Sequence, residues 1–210
     1  MRLVCISDTH GLHRRIPDIP DGDVLIHAGD SLAQGTLENI ADLNDWLGTM
    51  PHRHKILIAG NHDWAFQRTP EAARLALSNA IYLEDSGVEL GGVRFWGSPW
   101  TPQFMRWAFM ADRGSKIEEK WSKIPANTDV LITHGPPRGI GDQIDLGFGY
   151  EHPGCDQLLR RVGCLNLAAH IFGHIHEGYG KYLIKNTYFL NASTCTEWYE
   201  PVNPPIILEL

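Results

Sequence analysis

The sequence predicts a layered α/β fold. Three observations carry that prediction. Short apolar, β-branched runs recur along the chain, they are apolar on both faces as covered strands are, and helical patterns lie between several of them. The runs are LVCIS at 3–7, VLIHA at 24–28, KILIA at 55–59, VRFWG at 93–97, VLITH at 130–134, HIFG at 170–173, YFLNA at 188–192 and IILEL at 206–210. The first helical pattern covers 36–47, with Leu37, Ile40, Leu43 and Leu47 on one stripe. The next covers 70–79 and opens with Pro70, a residue suited to a first helical turn. A third covers 115–124, where Ser115 and Glu118 have capping-box spacing, and a fourth covers 152–162. The stretch 135–154 is rich in Gly and Pro and patternless, a length of loop that tends to be functional.

Composition bounds the function. The 210 residues are read as a single domain, 1–210, with a full-sized core. No apolar run approaches the ~18–20 residues of a membrane span, and Met1-Arg2 leads straight into a strand without a signal peptide. Cys5, Cys155, Cys164 and Cys195 form no CxxC pair and read as reduced thiols of a cytoplasmic protein, several of them buried. A formal charge of −7 argues against stable binding of a nucleic-acid polymer. A small anionic substrate remains compatible if bound cations reverse the sign locally.

Five strands end in polar clusters. LVCIS runs into Asp8-Thr9-His10, VLIHA into Gly29-Asp30, and KILIA into Gly60-Asn61-His62-Asp63. VLIT runs into His134-Gly135, and HIF into Gly173-His174-Ile175-His176. Ligands of α/β sheets sit at the carboxyl ends of strands. Five such ends side by side would gather Asp8, His10, Asp30, Asn61, His134, His174 and His176. Oxygen and imidazole donors without thiolate suit Mn²⁺, Fe or Zn²⁺. Seven donors exceed one tetrahedral ion and suit two ions that share a carboxylate.

The ordered set DTH at 8–10, GD at 29–30, GNHD at 60–63, THG at 133–135 and GHIH at 173–176 resembles the calcineurin-like metallophosphoesterases. GSPWTP at 97–102, THGPP at 133–137, GHIHEGYG at 173–180, NASTC at 191–195 and NPPII at 203–207 are similar to a subgroup. That subgroup is the metallophosphoesterase-domain-containing proteins related to class III cyclic nucleotide phosphodiesterases. The resemblance implies a four-layer α/β/β/α sandwich with two mixed β-sheets. It also implies two divalent cations, Mn²⁺ foremost, with Fe, Zn²⁺ and Mg²⁺ as alternatives. Asp8, His10 and His176 would hold the first, Asn61, His134 and His174 the second, and Asp30 would bridge. Hydrolysis would proceed by in-line attack of a metal-bridging hydroxide. His62 would give the leaving group its proton, as an imidazole of reference pKa ~6.5 can, and Asp63 would orient His62. Asp63 has a plainer reading as a turn residue or helix cap.

The substrate side is less legible. Trp100, Phe104, Trp107 and Phe109 crowd 97–110 and serve either as core cover or as a stacking platform. Trp64, Trp100, Arg138 and Tyr179 are the candidate substrate contacts. His27 reads as a core histidine with a supporting role near Asp30, and His13, His52, His54, His152 and His170 read as surface residues. The superfamily's protein phosphatases carry Arg in the loops after GD and after GNHE. Neither GDSLAQG nor GNHDWAF contains one, which favours a diesterase. Ser31 replaces the usual apolar residue beside Asp30. Three functions are therefore compared: a diesterase for cyclic nucleotides or similar small diesters, acting alone or as a homodimer; a phosphomonoesterase or nuclease on the same centre; and a non-catalytic interaction module.

Overall fold

The architecture is that of a computed structural model, which describes residues 1–33 and 35–210. The chain order is β1 (Arg2–Ile6), β2 (Val24–His27), α1 (Leu37–Thr49), β3 (His54–Leu57), α2 (Trp64–Arg68), α3 (Pro70–Ala76), β4 (Ile81–Tyr82), β5 (Ser86–Leu90) and β6 (Val93–Ser98). It continues with β7 (Thr101–Pro102), β8 (Met110–Ala111), α4 (Ser115–Ser122), β9 (Val130–Thr133), β10 (Ile144–Asp145) and β11 (Tyr150–Glu151). The last elements are α5 (Asp156–Val162), β12 (Ala169–Phe172), β13 (Gly180–Ile184), β14 (Thr187–Asn191) and β15 (Ile206–Glu209).

Two mixed sheets result. One runs β15-β1-β2-β3-β4, parallel except for β15 on β1; the other runs β13-β14-β12-β9-β6-β5, antiparallel only at its two edges. Alternation along β1 shows how the layers form. Leu3 and Cys5 enter a core made by residues of both sheets, with Ile26, Ile132 and Ile171. Val4 and Ile6 face the other way, onto Ile40, Leu43 and Leu47 of α1 and Phe66 of α2. The second sheet repeats the scheme: Leu131 and Phe172 pack on Ile117 and Trp121 of α4 and Leu158 of α5. The layers are therefore helices, sheet, sheet, helices, because the inner strands β1, β2, β9 and β12 are buried on both faces. Truncating one of these fully buried side chains, such as Ile26, to alanine costs about 2–5 kcal/mol.

All eight apolar runs are strands and all four helical patterns contain helices. Some details differ. Leu37 is 38% exposed, and Trp46 takes its place on the buried stripe of α1. That helix opens with a capping box between Thr36 and Asn39. The Ser115/Glu118 box does not form, because Gly114, at φ 91°, is the cap and puts Ser115 inside the helix. The loop 135–154 contains the β10–β11 hairpin. His13, His52 and His170 are buried, each with a polar partner: Asp42 for His13 (3.1 Å), the Pro20 carbonyl for His52 (3.0 Å) and the Thr133 hydroxyl for His170 (2.8 Å). His27 is a core histidine, bound to the Thr9 hydroxyl at 2.9 Å.

Candidate metal centre

The five polar strand ends belong to two sheets, not one. Asp8-His10, Asp30 and Asn61-His62 follow β1, β2 and β3; His134 and His174-His176 follow β9 and β12. The sheets touch through a bridge between Ser7 and Ser193, which brings the two sets of carboxyl ends together. Four of the residues there, Asp8, His10, Asp30 and His174, have φ of 51°, 45°, 52° and 70°. Non-glycine residues in this region cost roughly 1–3 kcal/mol each and persist where the surroundings enforce them. Here the enforcement is a ladder: Asp8 N–H donates to the Gly29 carbonyl (2.9 Å) and His10 N–H to the Asp30 carbonyl (3.0 Å).

The donor atoms converge in three groups, each within 4.8 Å: Asp8, His10 and His176; His10, Asp30 and His62; Asp30, His134 and His174. Asn61 joins the last group, its Oδ1 2.9 Å from Nε2 of His134. His10 belongs to two groups and so does Asp30, which places Asp30 between the outer sets. The imidazoles are aimed. Nδ1 of His134 donates to the Ala28 carbonyl (3.1 Å) and Nδ1 of His176 to the Thr196 carbonyl (2.8 Å), which turns both Nε2 atoms inward. Asp8 Oδ2 accepts from His174 N–H and from the Ser193 hydroxyl, each at 2.9 Å, while its buried Oδ1 has no hydrogen-bond partner. A buried carboxylate oxygen left open among inward-facing imidazole nitrogens fits a cation.

The electrostatics agree. Burial opposes the charge of Asp8, yet the His176 imidazole, its Nε2 3.6 Å from Oδ1, with His134 and His10 behind it, holds the carboxyl well below the usual range. Asp30 is held down in the same way, against burial, chiefly by His134. In return Asp30 lifts His134, and Asp8 lifts His176, each to about 9 in spite of burial. His10 and His174 go the other way: burial pushes both down to about 4.

His62 sits at the rim, its backbone N–H on Asp30 Oδ1 (2.7 Å) and its Nε2 3.9 Å from Asp30 Oδ2. Asp63 does not reach that imidazole. Its fully buried carboxylate accepts from the backbone N–H of Gly60 (2.8 Å), Leu32 (2.9 Å) and Ser31 (3.2 Å) and from the Ser31 hydroxyl (3.3 Å). It staples the loop after β3 to the loop after β2. Ser31 is thus a partner of the staple, not a packing defect.

Of the candidate substrate contacts, Trp64, Trp100 and Tyr179 lie outside the space above the centre. Trp64 packs on the α1 core with the Arg68 guanidinium 4.0 Å above its ring. Trp100 donates to Asp85 (3.2 Å) and carries the Lys120 ammonium 3.7 Å from its ring centre. Tyr179 donates to the Pro204 carbonyl (2.8 Å). Arg138 lines an adjoining cavity. The 97–110 aromatics divide: Phe109 is core, while Phe104 and Trp107 line the space over the centre, as Tyr199 also does. Trp107 was legible only as one of four crowded aromatics. Tyr199, whose ring lies 4.8 Å from that of His10, carries no sequence signal.

A four-layer sandwich with acid–imidazole clusters where its two sheets meet belongs with the metal-dependent phosphoester hydrolases. The sequence profile of the calcineurin-like phosphoesterases matches residues 1–178. The chain is 42% identical, over 233 aligned positions, to human metallophosphoesterase domain-containing protein 1, covering all of this chain and 71% of the human one. It is 40% identical to UPF0046 protein C25E10.12 of Caenorhabditis elegans, over all of this chain and 81% of the relative. In fold it is similar to TT1561 of Thermus thermophilus, with a TM-score of 0.59 at 11% identity over 90% of this chain and 88% of that one. The chain belongs to the calcineurin-like phosphoesterase family, and as such is a metal-dependent phosphoester hydrolase.

Proposed function

We propose that the chain is a dinuclear-metal phosphodiesterase acting on small diesters such as cyclic nucleotides, with Mn²⁺ as the preferred cation. Asp8, His10 and His176 would hold one cation and Asn61, His134 and His174 the other, with Asp30 between them. A bound cation pair would supply a nucleophilic oxygen at neutral pH and charge for the phosphoryl oxygens. The observation that carries the diester reading is the wall of the space above the centre. Its described lining residues include Glu177, Glu197, Tyr199, Trp107, Phe104 and Met105 but no Lys or Arg. A diester carries one negative charge, which two cations can neutralise. A monoester dianion gains from an added guanidinium, and none stands here.

Hydrolysis forms a bond from a water oxygen to phosphorus and breaks the ester bond. The departing alkoxide then needs a proton, and His62, at the rim and next in sequence to Asn61, would give it. Asp63 contributes by fixing the loops that carry Asp30 and Asn61.

The reading extends to a single-domain cytoplasmic enzyme, alone or as a homodimer, without a stable grip on nucleic acid or membrane. Support comes from the charge of −7 and from residues beyond 178 that serve the centre, Ser193, Thr196 and Tyr199. No helix among the described residues is long and apolar enough to cross a membrane. The test is a panel of 2′,3′- and 3′,5′-cyclic nucleotides, bis-nitrophenyl phosphate and a nitrophenyl monoester, each with Mn²⁺. Diesters should be turned over and the monoester poorly; the opposite order overturns the diester reading.

A further inference from the structure

The space over the metal centre, about 290 Å³, adjoins a larger cavity of about 830 Å³. The two share Phe104, His174 and Glu177, so a group seated at His174 can extend into the larger one. Its volume is that of a small-molecule site. The exposed rings of Phe104 and Tyr150 flank it.

Two guanidiniums line it and share one carboxylate. Arg113 donates to the Gly154 carbonyl (2.9 Å) and to that of Pro153. Arg138 reaches the Asp156 carboxylate at 3.3 and 3.4 Å, and Arg113 lies 4.0 Å from the same carboxylate. One carboxylate thus faces two cations. All three side chains are about half exposed, at 43–54%, so water screens these pairs and an incoming anion can replace Asp156. The other carboxylates of the cavity lie elsewhere: Glu177 on the wall shared with the metal centre, and Glu151 on the exposed β10–β11 hairpin. Positive charge is therefore local to the Arg113–Arg138 pair. The loop bearing Arg138 is fixed by buried Asp142, which accepts from the backbone N–H of Gly139 (3.0 Å) and Gly154 (2.9 Å) and from His152 (2.8 Å).

His62 and Trp107 line the smaller space and not the larger one. Given the diesterase reading, on which this step rests, the leaving oxygen ends beside His62. The arm entering the larger cavity is then the one that stays on phosphorus. We propose that this cavity binds the retained arm of the diester, and that Arg138 with Arg113 selects arms bearing a second anionic group, such as a nucleoside carrying a further phosphate.

The test compares thymidine 5′-(4-nitrophenyl phosphate) with the same ester carrying a 3′-phosphate, using the Mn²⁺-loaded protein. The wild type should favour the 3′-phosphorylated ester about tenfold in kcat/KM, the worth of one charge-assisted contact. R138Q should bring the ratio near one, and D156N, which removes the competing carboxylate, should raise it. A wild-type ratio near one, or a ratio unmoved by R138Q, overturns the proposal. Calorimetric binding of thymidine 3′,5′-bisphosphate against the 5′-monophosphate supplies a readout apart from turnover. Tighter binding of the bisphosphate that R138Q abolishes, with neither ester cleaved, supports the cavity and sinks the diesterase reading; equal binding of the two nucleotides sinks the cavity.

Discussion

The indole of Trp107 lies against the imidazole of His62, ring centres 4.4 Å apart and planes 27° from parallel. Ala108 N–H donates to the Asn61 carbonyl (3.1 Å), which pins this segment beside the loop after β3. His10 also packs on His62, with ring centres 4.8 Å apart and planes 81° from parallel. An imidazole held this way by rings needs no carboxylate to orient it.

His62→Ala should therefore slow diesters with alkyl leaving groups by about 10²–10⁴, the usual worth of a general acid, and nitrophenyl esters far less. Trp107→Ala keeps the imidazole and loses the stacking. Ring pairs are worth about 0.5–1.5 kcal/mol, so the same leaving-group bias should appear at roughly threefold to tenfold. Kinetics on paired nitrophenyl and alkyl diesters decide this. Equal losses on both substrates would remove His62 from the acid role.

Asp63→Asn tests the staple. Three backbone N–H groups rely on this carboxylate. An amide replaces one acceptor oxygen with a donor, and each buried donor left without an acceptor costs about 1–3 kcal/mol. The variant should lose roughly 2–4 kcal/mol of unfolding free energy and bind less metal, with no bias between leaving groups. A folded, fully loaded D63N impaired only on alkyl esters would restore Asp63 as the partner that orients His62.

Proton release on metal uptake follows from the histidines. His134 and His176 are raised to about 9 by their carboxylate neighbours, so both carry a proton at pH 7.5. His10 and His174, lowered to about 4, do not. A cation needs neutral imidazole, so filling both sets should expel about two protons. Affinity should rise with pH until the proton has already left near pH 9, by up to about tenfold per unit for each proton displaced. Calorimetry with Mn²⁺ in buffers of different ionisation enthalpy counts the protons; a count of zero contradicts the assignment.

The strands and the donor set were legible because both depend on residue type at a local position: apolar on both faces, then polar at the exit. Seven donors at five strand ends needed only that local pattern. Partners across the fold were not legible. Nothing near Asp63 in sequence says that its carboxylate points to Ser31 and Leu32 rather than to its neighbour His62. Tyr199 reaches His10 only because the Ser7–Ser193 bridge sets the chain after β14 against the chain after β1. The two-sheet arrangement was implied by family likeness alone, since parallel strands of either sheet read the same. Trp100 and Trp107 share one aromatic cluster, but Trp100 precedes β7 and turns to Asp85, while Trp107 lies in the loop between the parallel β7 and β8 and lines the space over the centre.

Two glycines back the carboxylates of the two proposed cation sets, Gly173 behind Asp8 and Gly60 behind Asp30. A Cβ on Gly173 would lie 1.9 Å from Asp8 Oδ2 and 2.3 Å from the Ser7 hydroxyl. Asp8 cannot withdraw without losing its bonds to His174 N–H and Ser193. Gly173→Ala should thus displace Asp8, which belongs to the first set, and leave Asp30, His134 and His174 as a donor group. A Cβ on Gly60 would lie 2.3 Å from Asp30 Oδ1 and 2.4 Å from the Asp30 backbone nitrogen. Because Asp30 stands between the sets, Gly60→Ala should behave like Asp30→Ala and lower occupancy at both. Elemental analysis of folded protein should give about two cations per chain in the wild type, about one in G173A and near zero in G60A and D30A. Thermal unfolding checks that the variants are folded. Full occupancy in a folded D30A would show that Asp30 does not join the sites, and the two-cation arrangement would have to be abandoned.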